Sequence, residues 1–247
     1  MISSYKNLED FKRLAGYEIE GKWYPRVTTI VSIKAKPALY RYYSEQGNFA
    51  KAQAATNESA REGTLIHETV EAILAGKNPE IPPQIKPALD AFFSLRREFD
   101  IFPILIEERI KSDNYWYAGT VDLVANVNGV LSLIDIKTSF AVFRDYNLQT
   151  SAYQQALKEM GFPIQKRCIL RLDQSRFCLK CGAKLRNKGG NLKIRLGKKD
   201  CDHQWSEMLG EAELKELGDF EEDLGAFLAC KKVWEWEYRF WLKQINS

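Results

Sequence analysis

Two acidic residues are spaced so that they face each other across a predicted β-hairpin. The stretches 117–127 and 130–136 are rich in β-prone residues and meet at Asn128-Gly129, a dipeptide favoured in two-residue type I′ turns. That turn fixes the register, and counting back along both strands places Asp122 directly opposite Asp135. Carboxylates at facing positions repel each other, so the arrangement indicates either a shared proton or a divalent cation between them.

A lysine completes a set of groups suited to phosphodiester hydrolysis. Lys137 follows Asp135 by two positions, and side-chain alternation puts both on one face of the strand. Carboxylates of this kind hold Mg²⁺ or Mn²⁺, which polarises a phosphoryl oxygen and activates a bound water. The lysine would orient that water or stabilise the charge of the transition state. A D-x-K motif alone is more often a chance pattern on an exposed hairpin, so the prediction rests on the motifs around it.

Taken in order, the motifs resemble those of the PD-(D/E)XK nuclease superfamily. Within it they are similar to the RecB-like exonucleases, a group that includes the CRISPR-associated iron–sulphur exonucleases and the mitochondrial genome-maintenance exonuclease. The resemblance extends over about residues 24–172. The segments that carry it are Pro25-Arg26-Val27-Thr28-Thr29-Ile30, Gly63-Thr64-Leu65-Ile66-His67, Glu107, Gly119-Thr120-Val121-Asp122, Asp135-Ile136-Lys137-Thr138-Ser139 and Gln149-Thr150-Ser151-Ala152-Tyr153.

The resemblance implies a fold, an activity and a set of site residues. The implied fold is α/β and restriction-endonuclease-like, with a central mixed β-sheet flanked by helices. The implied activity is metal-dependent DNA hydrolysis by an exonuclease that acts on DNA ends or single strands in replication, recombination or genome processing. Asp122, Asp135 and Lys137 would be the catalytic residues. The implied metal ligands are His67, Glu107, Asp122, Asp135 and the backbone carbonyl of Ile136, and the implied contacts to the substrate strand are Gln149 and Tyr153.

His67 taken alone is weak evidence for a metal site. His67 falls on a predicted helix at about residues 59–74, which Gly76 and Pro79 end. A lone histidine is more often a core or surface residue, and it is the resemblance that favours a metal ligand. Glu71 lies one turn further along and either orients the imidazole or belongs to a solvated face, so we leave it out of the predicted ligands.

Two further positions leave alternatives open. Glu107 and the adjacent Glu108 point to opposite sides of a predicted strand, and the family spacing favours Glu107 as the ligand. Gln149 and Tyr153 share one face of a helix that ends before Gly161, which is consistent with contacts to phosphates or base edges. The alternative is that Tyr153 packs in the core and Gln149 is solvated.

Four soft or borderline metal ligands occur as two close pairs after a strand predicted at 167–172. Cys178 and Cys181 form a C-x-x-C pair, and Cys201 and His203 follow as a less usual C-x-H pair. Structural zinc is typically held by such paired ligands, and the polar stretch between the pairs is unable to form its own apolar core. We therefore expect a structural zinc ion held by these four residues. The alternative is that the cysteines are reduced thiols in a solvated loop and that His203 lies outside the site.

The cysteine positions argue against an iron–sulphur cluster. Family members with a cluster use one cysteine far upstream of the nuclease motifs, whereas the first cysteine here is Cys168. Cys168 and Cys230 fall in apolar elements, which is typical of buried thiols. Five cysteines, an odd number, fit a reducing cytosol better than a disulphide framework.

Residues 174–205 are predicted to form a basic, zinc-binding insertion shaped as a β-hairpin, with its turn at Gly189-Gly190-Asn191. The net charge of +3 is too small to identify a nucleic-acid partner, so the local concentration of cations is the informative part. Such a patch suits contacts to DNA phosphates. The residues predicted to make them are Lys184, Arg186, Lys188, Lys193 and Arg195.

Length and composition favour a single enzyme-sized domain over residues 1–247, because 45% hydrophobic content is enough to bury a substantial core. The resemblance implies that it is a nuclease domain. Helices are predicted after Pro83 and across residues 211–244, where the aromatic side chains are expected to pack rather than to stack on bases. No secretory or membrane-spanning segment is evident. We expect a cytoplasmic protein of a prokaryotic cell or a phage-infected host, with no membrane partner.

Two other functions compete with the exonuclease. One is a non-catalytic DNA-binding or recombination adaptor on a nuclease fold. The presence of both aspartates and the lysine argues against an adaptor. The other is a DNA endonuclease, but no target-recognition domain is evident and the Q-x-x-x-Y helix points to the exonucleases. The expected partners are DNA, either single-stranded or as duplex ends, and a replication or recombination protein.

Overall fold

The computed structural model describes residues 5–34, 49–188 and 191–245 of the chain. Its helices are α1 (Leu8–Ala15), α2 (Val27–Val31), α3 (Phe49–Leu74), α4 (Lys86–Glu98), α5 (Arg144–Glu159), α6 (Phe220–Glu237) and α7 (Arg239–Ile245). Its strands are β1 (Gly16–Ile19), β2 (Lys22–Pro25), β3 (Ile101–Ser112), β4 (Tyr117–Val127), β5 (Val130–Lys137), β6 (Lys166–Phe177), β7 (Lys184–Lys188), β8 (Asn191–Arg195) and β9 (Leu209–Leu217).

The main sheet is mixed, which confirms the coarse fold prediction. Its strand order is β3-β4-β5-β6-β7-β8, and β9 pairs with β6. β5 and β6 run parallel, while the other pairings in this sheet are antiparallel. β1 and β2 form a separate two-stranded sheet. The parallel step requires a crossover, and the chain makes it through α5.

Helices cover both faces of the sheet and bury two apolar clusters. On one face, α1, α2, α5 and α6 pack against the sheet around Phe11, Tyr153 and Trp234. On the other face, α3 and α4 pack around Ile66, Phe92 and other buried side chains. The α/β architecture with flanking helices therefore follows from two apolar sheet faces that both need covering.

The hairpin formed by β4 and β5 has the predicted turn and register. Asn128 and Gly129 have φ values of 48° and 86°, the left-handed geometry that a type I′ turn requires at both central positions. The strands pair from Val127 opposite Val130 to Leu123 opposite Ile134. Asp122 and Asp135 are therefore the next residues on their strands after the last backbone pair.

The predicted helices α3 and α4 are present, and α3 begins earlier in the chain than expected. α3 begins at Phe49 rather than near residue 59, and it ends at Leu74 as expected. α4 follows Pro83 and buries Leu89, Phe92 and Leu95. No helix in the described residues is long and apolar enough to cross a membrane.

The prediction of helix across residues 211–217 is wrong, because this segment belongs to β9. Its glutamates, leucines and lysine favour a helix locally, but the chain pairs with β6 from Ser175 opposite Leu209 to Arg167 opposite Leu217. Alternate residues Ala212 and Leu214 pack against the core. Tertiary pairing therefore outweighs local propensity here. β6 is also longer than predicted and reaches Phe177.

The aromatic side chains at the carboxyl end are divided between packing and solvent. Trp234 is 1% exposed and stacks on Phe11. Trp236 and Phe240 are 65% and 66% exposed, so the expected packing holds for only part of this group.

A glycine substitution tests the contact between β9 and α4. A Cβ atom at Gly210 would lie 1.8 Å from the carbonyl oxygen of Pro87. We expect Gly210→Ala to lower the free energy of unfolding by about 1–3 kcal/mol, since backbone must move to admit the methyl group. Gly218→Ala is the matched control because its Cβ would meet open space. Urea unfolding measures both, and equal midpoints for the two variants would contradict the close approach.

Candidate functional site

The two aspartates lie where β4 and β5 separate. Asp122 Oδ2 accepts a hydrogen bond of 2.6 Å from the backbone N–H of Ile136, so the carboxylate replaces a backbone partner just beyond the last strand pair. Asp122 is 9% exposed and Asp135 is fully buried. Buried carboxylates need hydrogen bonds or positive partners, and each aspartate has them.

His67 reaches this point from α3, whose neighbouring Ile66 is buried in the core. Its Nε2 lies 2.9 Å from the carbonyl oxygen of Ile136 and 3.2 Å from Asp122 Oδ2. Its Nδ1 lies 2.7 Å from Glu71 Oε1, so Glu71 orients the imidazole. Burial alone would lower the pKa of His67, but Asp122, Glu71 and the Ile136 carbonyl raise it to about 10.

Glu107 is the residue of β3 that joins this group. Its φ of 49° lies in the left-handed region, which a glutamate seldom adopts. In a regular strand, side chains five positions apart point to opposite faces of the sheet. Leu105 and Ile110 instead pack on the same face, so the side-chain alternation of β3 reverses between them, where Glu107 has its irregular backbone. Backbone strain of this kind is often found at functional sites.

One ligand atom from each of His67, Glu107 and Asp122 lies within 4.8 Å of the others. Burial raises the pKa of Glu107 to about 7, with further increases from Glu71 and Asp122 and a decrease from His67. An open cleft of about 490 Å³ lies beside these residues, between α3, β3 and the end of β5. The structure therefore brings three of the predicted metal ligands together at a solvent-accessible surface.

Asp135, a further predicted ligand, is held by different partners. Lys137 Nζ lies 2.5 Å from Asp135 Oδ2, and Gln149 Nε2 donates a 3.0 Å hydrogen bond to Asp135 Oδ1. Burial raises the pKa of Asp135 to about 6, while Lys137 lowers it and Asp122 raises it. Asp135 Oδ2 is buried and has the ion-pair contact, but it has no partner in hydrogen-bond geometry among the described residues.

Gln149 of α5 contacts Asp135, and Tyr153 of the same helix contacts Gln149. Tyr153 is 2% exposed, and its hydroxyl accepts a 3.1 Å hydrogen bond from Gln149 Nε2. A Cβ at Gly119 would lie 2.4 Å from the Tyr153 ring, which explains the glycine of the G-x-x-D motif. Tyr153 thus packs in the core, while Gln149 is half-buried against Asp135 rather than solvated. Their contact with a substrate strand stays a prediction.

The glycine of the G-x-x-x-H motif also has a packing role. A Cβ at Gly63 would lie 2.7 Å from Thr138 Oγ1, so the glycine lets α3 approach the segment that follows Lys137. Lys188 reaches the same segment from β7, where its Nζ donates to the carbonyl oxygen of Thr138 at 2.5 Å and to Thr138 Oγ1 at 3.1 Å. The insertion therefore contacts the loop beside the candidate catalytic lysine.

The basic insertion is a hairpin of β7 and β8 with two unlike faces. Lys184 pairs with Arg195 and Arg186 with Lys193, and paired residues of antiparallel strands share a face. Their neighbours Leu192 and Ile194 lie on the opposite face and are 65% and 51% exposed. The predicted turn residues 189 and 190 lie outside the described residues.

The basic face is directed toward the body of the protein. Arg186 is 6% exposed and forms ion pairs of 2.7 Å with Asp173 and 2.5 Å with Glu62. Lys184 Nζ lies 2.5 Å from Glu211 Oε2, and the Arg195 guanidinium lies 4.2 Å from the centre of the Phe140 ring. These partners were not predicted, because they come from helices, strands and loops that are distant in the sequence. Contacts of these cations with DNA stay a prediction.

The four predicted zinc ligands lie together beside this hairpin. Their ligand atoms are all within 4.8 Å of one another. Cys178 Sγ is 3.8 Å from Cys201 Sγ, and Cys181 Sγ is 3.5 Å from His203 Nδ1. Zinc bonds of about 2.3 Å to sulfur and 2.0–2.1 Å to nitrogen give tetrahedral edges of about 3.8 Å and 3.5 Å. The cluster is therefore compatible with a zinc ion. Cys168, by contrast, is buried in the core.

No protein-family model matches the chain, and no curated protein sequence does. The resemblance to the PD-(D/E)XK nucleases accordingly rests on the motifs and their spacing.

Removal of one buried cation tests how the hairpin is held. We expect Arg186→Gln to lower the free energy of unfolding by about 3–5 kcal/mol, since Asp173 and Glu62 would lose a shared buried partner. Arg13→Gln removes the same charge from a side chain that is 70% exposed, so its effect should stay within about 0.5 kcal/mol. Chemical denaturation measures both, and a small effect at Arg186 would contradict the inward orientation.

Proposed function

We propose that this protein is a metal-dependent deoxyribonuclease, and that it acts as an exonuclease on DNA ends or single strands. The observation that carries the proposal is the convergence of ligand atoms from His67, Glu107 and Asp122 beside the Asp135–Lys137 ion pair. Three strands and a helix contribute to this group, and it borders an open cleft. Carboxylates, an imidazole and a lysine in one cleft are the groups that metal-assisted phosphodiester hydrolysis uses.

The donor set fits a divalent cation. Carboxylate and carbonyl oxygens suit Mg²⁺ and Mn²⁺, and imidazole is a common additional ligand for Mn²⁺. Asp135 Oδ2 is buried and contacts Lys137 Nζ, but it makes no hydrogen bond among the described residues, so it keeps lone pairs for a cation. His67, Glu107, Asp122, Asp135 and the Ile136 carbonyl would hold the cation. When bound, the cation supplies Lewis-acid polarisation of the phosphoryl oxygen and a more acidic water.

Lys137 supplies positive charge to the same site. Burial lowers its pKa, but the negative charges of Asp135 and Asp122 outweigh that effect and keep the pKa above its usual value. The ammonium is therefore protonated at neutral pH, so it stabilises developing negative charge and orients water rather than abstracting a proton. Gln149 fixes Asp135 through a hydrogen bond, which keeps the carboxylate and the lysine in one arrangement.

A zinc ion is the second part of the proposal. Cys178, Cys181, Cys201 and His203 would hold it as a closed, tetrahedral structural site. In support, His203 and several backbone N–H groups outweigh burial and lower the pKa of Cys178 to about 6, which favours the metal-binding thiolate. The role of zinc would be to join the segments before β7 and after β8, because this part of the chain has little apolar core of its own.

The nuclease proposal predicts a specific loss of activity. We expect Mg²⁺- or Mn²⁺-dependent release of labelled nucleotides from linear DNA, and a decrease of about 100-fold or more for Lys137→Ala because a charge-stabilising group is lost. Lys77→Ala is the control, since Lys77 is exposed beyond the end of α3. Initial rates on single- and double-stranded substrates measure the effect.

Circular DNA separates the alternatives. Digestion of linear DNA with circles left intact supports the exonuclease, whereas cleavage of circles would replace it with an endonuclease. If the protein binds DNA but cleaves none with either metal, the catalytic proposal is overturned in favour of an adaptor.

The zinc proposal predicts the metal content of the purified chain. We expect one zinc ion per chain by atomic emission spectroscopy, and its loss in Cys201→Ser. Cys230→Ser should keep the zinc, because Cys230 packs against the core of α1, α2, α5 and α6 and not in the four-residue cluster. Protein that contains no zinc, and takes up none on addition, would disprove the site.

A further inference from the structure

A second group of cations lies near the candidate active site and was not predicted from the sequence. The guanidinium carbon of Arg26 lies 4.4 Å from the centre of the Tyr17 ring, and that of Arg109 lies 4.6 Å from the same centre. The Tyr17 hydroxyl is 3.4 Å from Thr120 Oγ1. We call these four residues the arginine–tyrosine cluster.

The backbone holds the cluster in a fixed place. Arg26 N donates a 2.7 Å hydrogen bond to the carbonyl oxygen of Ala15 and forms a β-bridge with Ala118 of β4. Arg109 and Thr120 are paired across β3 and β4. Because the backbone at these positions is already paired and both guanidinium groups lie against the Tyr17 ring, little rearrangement is needed to bind a ligand, which favours a preformed site.

The two guanidinium groups lack the anionic partners that the hairpin cations have. Within residues 5–34, 49–188 and 191–245, neither Arg26 nor Arg109 forms an ion pair. Arg26 Nε is also buried without a hydrogen-bond partner there. A buried donor without a partner is unfavourable, and two like charges at one ring repel each other, so a bound anion would satisfy both.

The cluster lies along the same strands as the candidate metal ligands. Thr120 precedes Asp122 by two residues on β4, so the backbones of these two residues lie about 7 Å apart. Arg109 follows Glu107 by two residues on β3. A strand of DNA that enters the cleft can therefore contact the cluster with a phosphate close to the one that is hydrolysed.

We propose that the arginine–tyrosine cluster binds an internal phosphodiester of the DNA strand and positions that strand at the active site. The assignment of this phosphate contact to the active site rests on the proposed nuclease function. Guanidinium groups present paired N–H donors that match two phosphate oxygens, and the Tyr17 and Thr120 hydroxyls add further donors. The Tyr17 ring is occupied by the two arginines, so it orients them rather than stacking on a base.

Salt dependence of DNA binding tests the cluster directly. The probe is a fluorescently labelled 12-nucleotide single strand, titrated by anisotropy at several salt concentrations against the full chain carrying Asp135→Asn to prevent digestion. Arg26→Gln and Arg109→Gln should each weaken binding and reduce the slope of log K against log salt, and the two substitutions together should reduce it by about 0.7, the value for one phosphate contact on a single strand. Arg97→Gln, an equal charge change on α4, should leave the slope unchanged.

The outcomes separate this proposal from that of the nuclease. If the native protein cleaves DNA but both arginine variants keep the affinity and slope of the Asp135→Asn parent, the phosphate site is wrong and the nuclease stands. If the native protein cleaves no DNA but the arginine variants still lose affinity and slope, the phosphate site stands alone. An effect seen only with a 5′-phosphorylated probe would overturn the internal phosphodiester in favour of a terminal phosphate.

Thermal unfolding of the same variants shows whether a loss of affinity comes from a loss of folding. Arg109 is exposed on β3, so Arg109→Gln should keep the thermal unfolding midpoint of the parent. If Arg26→Gln unfolds, the slope measured for Arg109→Gln alone decides the proposal. Tyr17→Ala should mimic the arginine variants because it removes the ring that orients both side chains, whereas Tyr17→Phe should lose much less affinity.

Discussion

The carboxylates of Asp122 and Asp135 are both buried at the point where β4 and β5 separate, and the structure around them offsets the cost of that buried negative charge. The N–H of Ile136 and the imidazole of His67 meet Asp122. Lys137 and the side-chain amide of Gln149 meet Asp135. Because these groups come from α3, β5 and α5, the helices on both faces of the sheet are tied to one electrostatic requirement.

The ion pairs of the insertion extend this arrangement to the other side of the cleft. Arg186 joins β7 to α3 through Glu62 and to β6 through Asp173, and Lys188 joins the hairpin to Thr138. Three of the five cations predicted to contact DNA, Lys184, Arg186 and Lys188, thus also hold elements of the fold together. Arg26 and Arg109, which do not form ion pairs in the described part of the chain, are better placed to receive an external anion.

The sequence predicted well the features that neighbouring residues determine. The Asn128-Gly129 turn fixed the hairpin register, and residues at fixed spacing on that hairpin then had to lie near Asp122. Features that depend on distant partners were predicted poorly. Residues 211–217 form a strand because β6 offers pairing, and the hairpin turns its basic face inward because Glu62 and Asp173 lie there. The alternation of basic and apolar residues in β7 and β8 indicates two faces, but not which one faces the protein.

The outward face of β8 has a consequence for the behaviour of the protein in solution. Leu192, Ile194 and Leu196 are exposed in a row, and β8 is the last strand in the order of the main sheet among the described residues. An edge strand with aliphatic side chains is a template for pairing between molecules. The ion pairs of Arg186 on the neighbouring β7 hold this hairpin against α3 and β6. Loosening them would favour aggregation through residues 191–196 before the central sheet unfolds.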